Sequence, residues 1–174
     1  MAFSDADLIA RVRESGDPNA FGELVRRYQS PVRAFLTKMT RGDAALADDI
    51  AQETFLRAWR KLDTFRSEGR FSTWLFGIAA NEFRNRLRRE RRRESPKDLS
   101  SDTETTVEMP APGLRLDVND ALLRLMPAER AAIVLCCQNG LTHEETAQAL
   151  DCPLGTVKTN ILRGKEKLRR WLEL

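Results

Sequence analysis

Apolar residues recur along this chain at steps of three and four, and no segment shows the two-residue alternation of a half-buried strand. That period confines the chain to packed amphipathic helices, an all-α fold. Ser4 and Asp5 can start a first helix, with Leu8, Ile9 and Val12 on its apolar face, and Gly16-Asp17-Pro18-Asn19 breaks it. A second stripe carries Phe21, Leu24, Val25, Tyr28, Val32, Phe35 and Leu36, with a kink expected at Pro31. After Gly42-Asp43, a third helix over residues 45–62 is expected to bury Ile50, Phe55, Ala58, Trp59 and Leu62. A loop over residues 63–71 follows. The fourth helix begins at Ser72 as N-cap and carries Trp74, Leu75, Ile78, Ala79, Phe83 and Leu87.

The pattern stops between residues 96 and 117, where Pro96, Pro110, Pro112 and Gly113 stand among serines, threonines and acids. Too few apolar side chains are there to make a core, so this stretch reads as an extended linker. The expected organisation is therefore a helical domain over residues 1–95, an acidic linker over 96–117 and a second helical domain over 118–174. Domains so joined can sit far apart. In the second, Pro127 opens a helix, Asn139-Gly140 closes it, and Thr142 with Glu145 is a capping-box pattern.

Charge is distributed unevenly. The net charge is only +3, yet residues 84–93 are mostly arginine while the linker is acidic. A basic helix end beside an acidic tether suggests a nucleic-acid face next to something that avoids or imitates nucleic acid. The carboxy-terminal half adds a helix-turn-helix pattern: a short helix to Leu150, a tight break at residues 151–155, and a last helix from Thr156. Small Ala147 permits close approach, and Leu150, Val157 and Ile161 fill the angle. Thr156, Lys158, Thr159 and Arg163 are left on the outer side, where a recognition helix meets base edges and phosphates. A plain helical hairpin with a solvated basic face is the alternative, and the clustering of polar residues opposite the seam argues against it.

Other chemistries fit less well. Cys136 and Cys137 are adjacent rather than spaced as zinc ligands, and His143 is the only histidine. Asp48, Asp49 and Glu53 suggest a magnesium site, but no partner lysine or histidine motif accompanies them. No cofactor, metal or small-molecule substrate is expected, and the chain is not expected to be an enzyme. No apolar run approaches the ~20 residues that span a bilayer. The odd cysteine count and the absence of a signal peptide point to a cytoplasmic protein.

Three strings, in one order, carry a family resemblance. Residues 141–165 (LTHEETAQALDCPLGTVKTNILRGK) resemble the carboxy-terminal domain of extracytoplasmic-function sigma factors of the sigma-70 family. Residues 48–59 (DDIAQETFLRAW) resemble the helix by which the amino-terminal domain of these factors grips the polymerase clamp. Residues 71–85 (FSTWLFGIAANEFRN) resemble their promoter-melting segment. The resemblance covers nearly the whole chain.

It implies a factor that joins core RNA polymerase at the β′ clamp and β flap, reads the minus-35 element, melts the minus-10 element, and is controlled by an anti-sigma factor. Asp49, Gln52, Glu53 and Leu56 share one helical face, which the resemblance assigns to the clamp, with Asp48 at its margin. On their own these residues read as a solvated acidic face, taken to lie opposite the Trp59 seam. For minus-10 DNA the resemblance points to Asn81 and the loop with Arg66 and Arg70; phosphates fall to Arg84, Arg88 and their neighbours. Trp74 belongs to the same segment, though it and Phe83 read first as core. The alternative for Asn81 is a bond to a neighbouring helix or a cap. For minus-35 DNA it gives Lys158, Thr159, Leu162 and Arg163, with Thr156 on a phosphate. Asn160 stands where the family often has arginine, and Gly164 marks either a kink or a close approach. The linker is a passive tether, or Asp98, Asp102, Glu104 and Glu108 imitate RNA phosphates. A stand-alone repressor is the rival reading, and it leaves the melting segment unexplained.

Overall fold

The computed structural model describes residues 3–66, 69–94 and 117–172. The linker acids named above, with Ser67 and Glu68, lie outside the described residues. Eight α-helices account for most of the described chain, and no strand occurs in it. Helix α1 (Asp5–Ser15) opens on a capping box, in which Ser4 Oγ accepts from the Asp7 amide at 3.2 Å and Asp7 accepts from the Ser4 amide at 2.9 Å. It closes on Gly16 at φ 63°, a left-handed position that glycine takes without steric cost. Helix α2 (Pro18–Met39) is N-capped by Asp17 and continuous through Pro31. Val32, Phe35 and Leu36, all wholly buried, offset the amide bond that the proline cannot make.

Helix α3 (Ala44–Lys61) departs from expectation on its packing face. Its buried seam is Ala47, Ile50, Thr54 and Ala58, and the two alanines let α2 and α4 approach closely. Phe55 is half-buried, and Trp59 is exposed at 39% beside Leu56 at 50%. Trp59 therefore lies outside the seam, lying edge-on against Phe21 with ring centroids 5.0 Å apart. Helix α4 (Phe71–Glu94) starts one residue before Ser72, which is buried in its first turn rather than capping it. The Arg70 carbonyl already accepts the Trp74 amide at 3.3 Å, and Phe71 is fixed between Tyr28 and Phe65.

The second group comprises α5 (Val118–Arg124), α6 (Pro127–Ile133), a π-type turn (Val134–Gln138), α7 (His143–Leu150) and α8 (Leu154–Leu172). Thr142 and Glu145 form the expected capping box. Val157 and Ile161 pack with Ala147 and Leu150, as a helix-turn-helix requires. The turn is made by Asp151 at φ 52°. Gly164 marks a close approach: a Cβ there would stand 2.5 Å from Ile133 Cδ1 on α6.

The two groups pack on one another. Ala131, Val134, Leu135, Leu141 and Ala149 join the same apolar cluster as Phe35, Leu75 and Phe76. Gly77 on α4 brings the Ala149 backbone of α7 to within about van der Waals contact of where a Cβ would be, at 3.5 Å. Arg130 is wholly buried beneath this junction. It donates to the carbonyls of Leu122 and Leu125 on its own side, both at 2.9 Å, and to those of Lys38 and Met39 at the end of α2 at 3.1 and 3.4 Å.

Candidate nucleic-acid interface

The first turns of α4, the end of α3 and the connection between them wall a cavity of about 880 Å³. Of the residues expected at minus-10 DNA, Arg66, Arg70, Trp74, Asn81 and Arg84 all line it. Arg88 does not; it is exposed one turn further along α4. Trp74 is half-buried, 5.5 Å from the Phe65 ring and 5.6 Å from Phe71, so it serves both core and cavity. Asn81 is exposed at the cavity edge.

Among the lining residues that escape sequence reasoning are three on α3 and α4. Arg57 and Lys61 come from α3, and Thr73 from α4. The basic pair at i and i+4 was the visible signal for the first two, but only the packing of α3 on α4 turns it toward Asn81. Arg57 is held there by Glu82, a buried carboxylate 2.8 Å from its guanidinium. With Arg66, Arg70 and Arg84, the cavity has the cationic wall and aromatic side chain that a single strand needs. Its opposite wall is α7, with Glu145, Gln148, Ala149 and Asp151. Arg84 donates to the Leu150 carbonyl at 2.9 Å, and Arg70 lies 3.6 Å from Glu145.

The acidic face of α3 is exposed as expected at Asp49, Gln52, Glu53 and Leu56. Asp48 is half-buried and accepts from Arg33 at 2.7 Å. Gln52 and Leu56 form a ridge between two concavities. One holds Asp49, Glu53, Glu82, Arg86 and Arg89; the other, about 710 Å³, is an apolar groove of Phe21, Val25, Phe55 and Trp59 with Asp48 at its rim. The periodicity missed this groove because it assigned Trp59 to the core.

On α8, Thr156, Lys158, Thr159, Leu162 and Arg163 are all exposed, while Val157 and Ile161 between them are buried. Thr159 donates its hydroxyl to the Gly155 carbonyl at 2.9 Å. Leu162, 59% exposed, is an apolar side chain left in water. Cys136 and Cys152 are half-buried against the helix-turn-helix core, and burial raises both thiol pKa values; Cys137 is exposed.

A helix-turn-helix with a basic outer face, joined to a helical unit with an aromatic, cationic cavity, defines the class of a DNA-binding protein. The comparisons agree. The Sigma-70 region 2 model matches residues 24–93, and the Sigma-70 region 4 model matches residues 115–168. The chain is 35% identical to the ECF RNA polymerase sigma-E factor of Haemophilus influenzae, over 98% of this chain and 96% of that one. It is 32% identical to the RNA polymerase sigma-H factor of Pseudomonas aeruginosa, over 97% and 94%. Among solved structures it is similar to the sigma factor RpoE of Bartonella quintana bound to the anti-sigma factor NepR, with TM-score 0.70, 29% identity and coverage of 88% and 97%. It is equally similar to CnrH bound to the cytosolic domain of CnrY, with TM-score 0.70, 29% identity and 97% of both chains covered. The chain belongs to the sigma-70 family, among its extracytoplasmic-function sigma factors. It directs RNA polymerase to promoters at the start of transcription.

Proposed function

We propose that the units expected over residues 1–95 and 118–174 divide the promoter between them. The first docks on the polymerase clamp and holds the melted minus-10 strand; the second reads minus-35 duplex and meets the β flap. The observation that carries this reading is the cavity, where Arg66, Arg70, Trp74, Asn81 and Arg84 converge with Arg57 and Lys61 of α3. Arg88 lies beyond it and suits a flanking phosphate. On α8 the exposed Lys158, Thr159 and Arg163 reach bases, Thr156 sits near the amide end of the helix, which favours phosphate, and Leu162 fits a thymine methyl.

The clamp contact centres on Asp49, Gln52, Glu53 and Leu56, with Asp48 at the rim, and extends into the groove of Phe21, Val25 and Trp59. An apolar groove edged by carboxylates suits a partner helix with apolar and basic side chains. An anti-sigma factor is the expected antagonist, since the solved relative RpoE is held by one, NepR. The protein acts in the cytoplasm, where the polymerase is; no helix of the described residues is long and apolar enough to cross a membrane.

Binding to core polymerase tests the docking face. Leu56→Asp and Trp59→Ala should each weaken association at least tenfold in a titration with labelled protein, about 1.4 kcal/mol, with helicity unchanged. Association within twofold of the parent for both variants would place the clamp contact elsewhere.

A further inference from the structure

Among the described residues, two buried side-chain oxygens lack a hydrogen-bond partner: Thr73 Oγ1 and Glu82 Oε1. The Glu82 oxygen faces the Arg57 guanidinium at 2.8 Å, so opposite charge accounts for it. Thr73 has no such compensation. Threonines inside helices usually donate to the carbonyl four residues back, as Thr37, Thr54 and Thr159 do in this chain. Thr73 stands too early in α4 for that, because Gly69 precedes the helix. A buried hydroxyl left unpaired is a standing cost to the fold.

Its position suggests what offsets that cost. Thr73, Gly77 and Asn81 follow one another at i, i+4 and i+8, so they form one stripe on α4, and all three line the cavity. Gly77 is covered by Ala149 of α7, which brings no side-chain polar group to that part of the stripe. A ligand entering between α4 and α7 would meet the Asn81 carboxamide at one end and, once the groups covering Thr73 give way, its hydroxyl at the other, with Trp74 and Arg57 lining the same cavity. A hydroxyl donates or accepts as required.

We infer that Thr73 Oγ1 is a hydrogen-bonding contact for an unstacked promoter base, acting beside Asn81. This rests on the reading of the cavity as the minus-10 site. Because the hydroxyl is ambivalent, it adds affinity at one nucleotide, while the fixed donor and acceptor of Asn81 do most of the choosing.

Thr73→Val separates this role from a structural one, since it keeps the shape and removes only the hydroxyl. Full-length protein would be titrated with single-stranded oligonucleotides from a promoter mapped by its own transcripts, each nucleotide in turn made abasic. Wild type should lose affinity most at one or two positions. Thr73→Val should bind the intact strand about three- to tenfold more weakly, and that deficit should vanish when the contacted nucleotide is abasic. Thr73→Ser, which retains the hydroxyl, should bind as wild type does. Thermal unfolding of the valine variant should be unchanged or raised, because the unpaired group is gone. If the valine variant matches wild type on the intact strand, or is weaker by the same factor on every abasic strand, the inference is overturned while the cavity reading stands. If wild type shows no position-dependent loss, the cavity reading falls and the inference with it.

Discussion

Tyr28 is the only tyrosine in the chain, and its hydroxyl donates to the Asp5 carboxylate. Burial first, and then that neighbouring carboxylate, push its pKa up from 10.0 to about 12. The folded protein thus keeps a proton that the unfolded chain gives up near pH 10, so the stabilisation is whole below that pH and is lost as pH rises toward 12. A near-ultraviolet absorbance titration should show the phenol ionising near pH 12, with unfolding setting in over the same range. A midpoint near 10, with the fold intact, would contradict the Asp5 contact. Tyr28 was legible from the sequence only as one apolar position in a stripe, because its polar partner stands on another helix. The same limit hid Arg57, Lys61 and Thr73. Asn81 was legible because a carboxamide among Ile78, Ala79 and Ala80 is locally out of place, whereas a threonine at a helix start looks ordinary until its missing partner is seen.

At the level of elements, periodicity and capping chemistry carried most of the reading. The capping box at Thr142 and the Val157–Ile161 seam needed only local spacing, and both are present. Trp59 was misplaced because i+7 from Gln52 and one step from Ala58 fit two faces equally well. Tertiary packing chose small Ala47 and Ala58 for the seam and left the indole outside. Arg130 was invisible for a different reason: it serves carbonyls at the ends of α2 and α5, and helix ends from separate parts of a chain cannot be paired by spacing. Its partners are all backbone carbonyls, and burial lowers its pKa to about 10. Arg130→Met should therefore strand several buried acceptors and destabilise the protein by about 3 kcal/mol or more. Urea unfolding checks this; a loss below about 1 kcal/mol would show that the carbonyls find other partners. Arg130→Lys should recover only part, since an ammonium lacks the planar fork.

For the molecule as a whole, the junction of its two helical groups is the same place as the cavity proposed to hold the minus-10 strand. Helix α7 belongs to the helix-turn-helix, yet it walls the cavity, and its Glu145 and the Leu150 carbonyl engage Arg70 and Arg84. An entering strand must take those arginines from α7. The linker composition suggested only that the units can separate; the packed arrangement depends on Ala131, Val134, Leu135 and Ala149, which join the first unit's apolar cluster. The central claim is that this chain gives RNA polymerase its choice of promoter, and run-off transcription from a genomic promoter library, with core polymerase in the presence and absence of the protein, tests it most directly. Discrete start sites that require both are expected, with two shared sequence elements upstream of each. Transcripts indifferent to the protein, together with protection of duplex DNA by the protein alone, would contradict that claim.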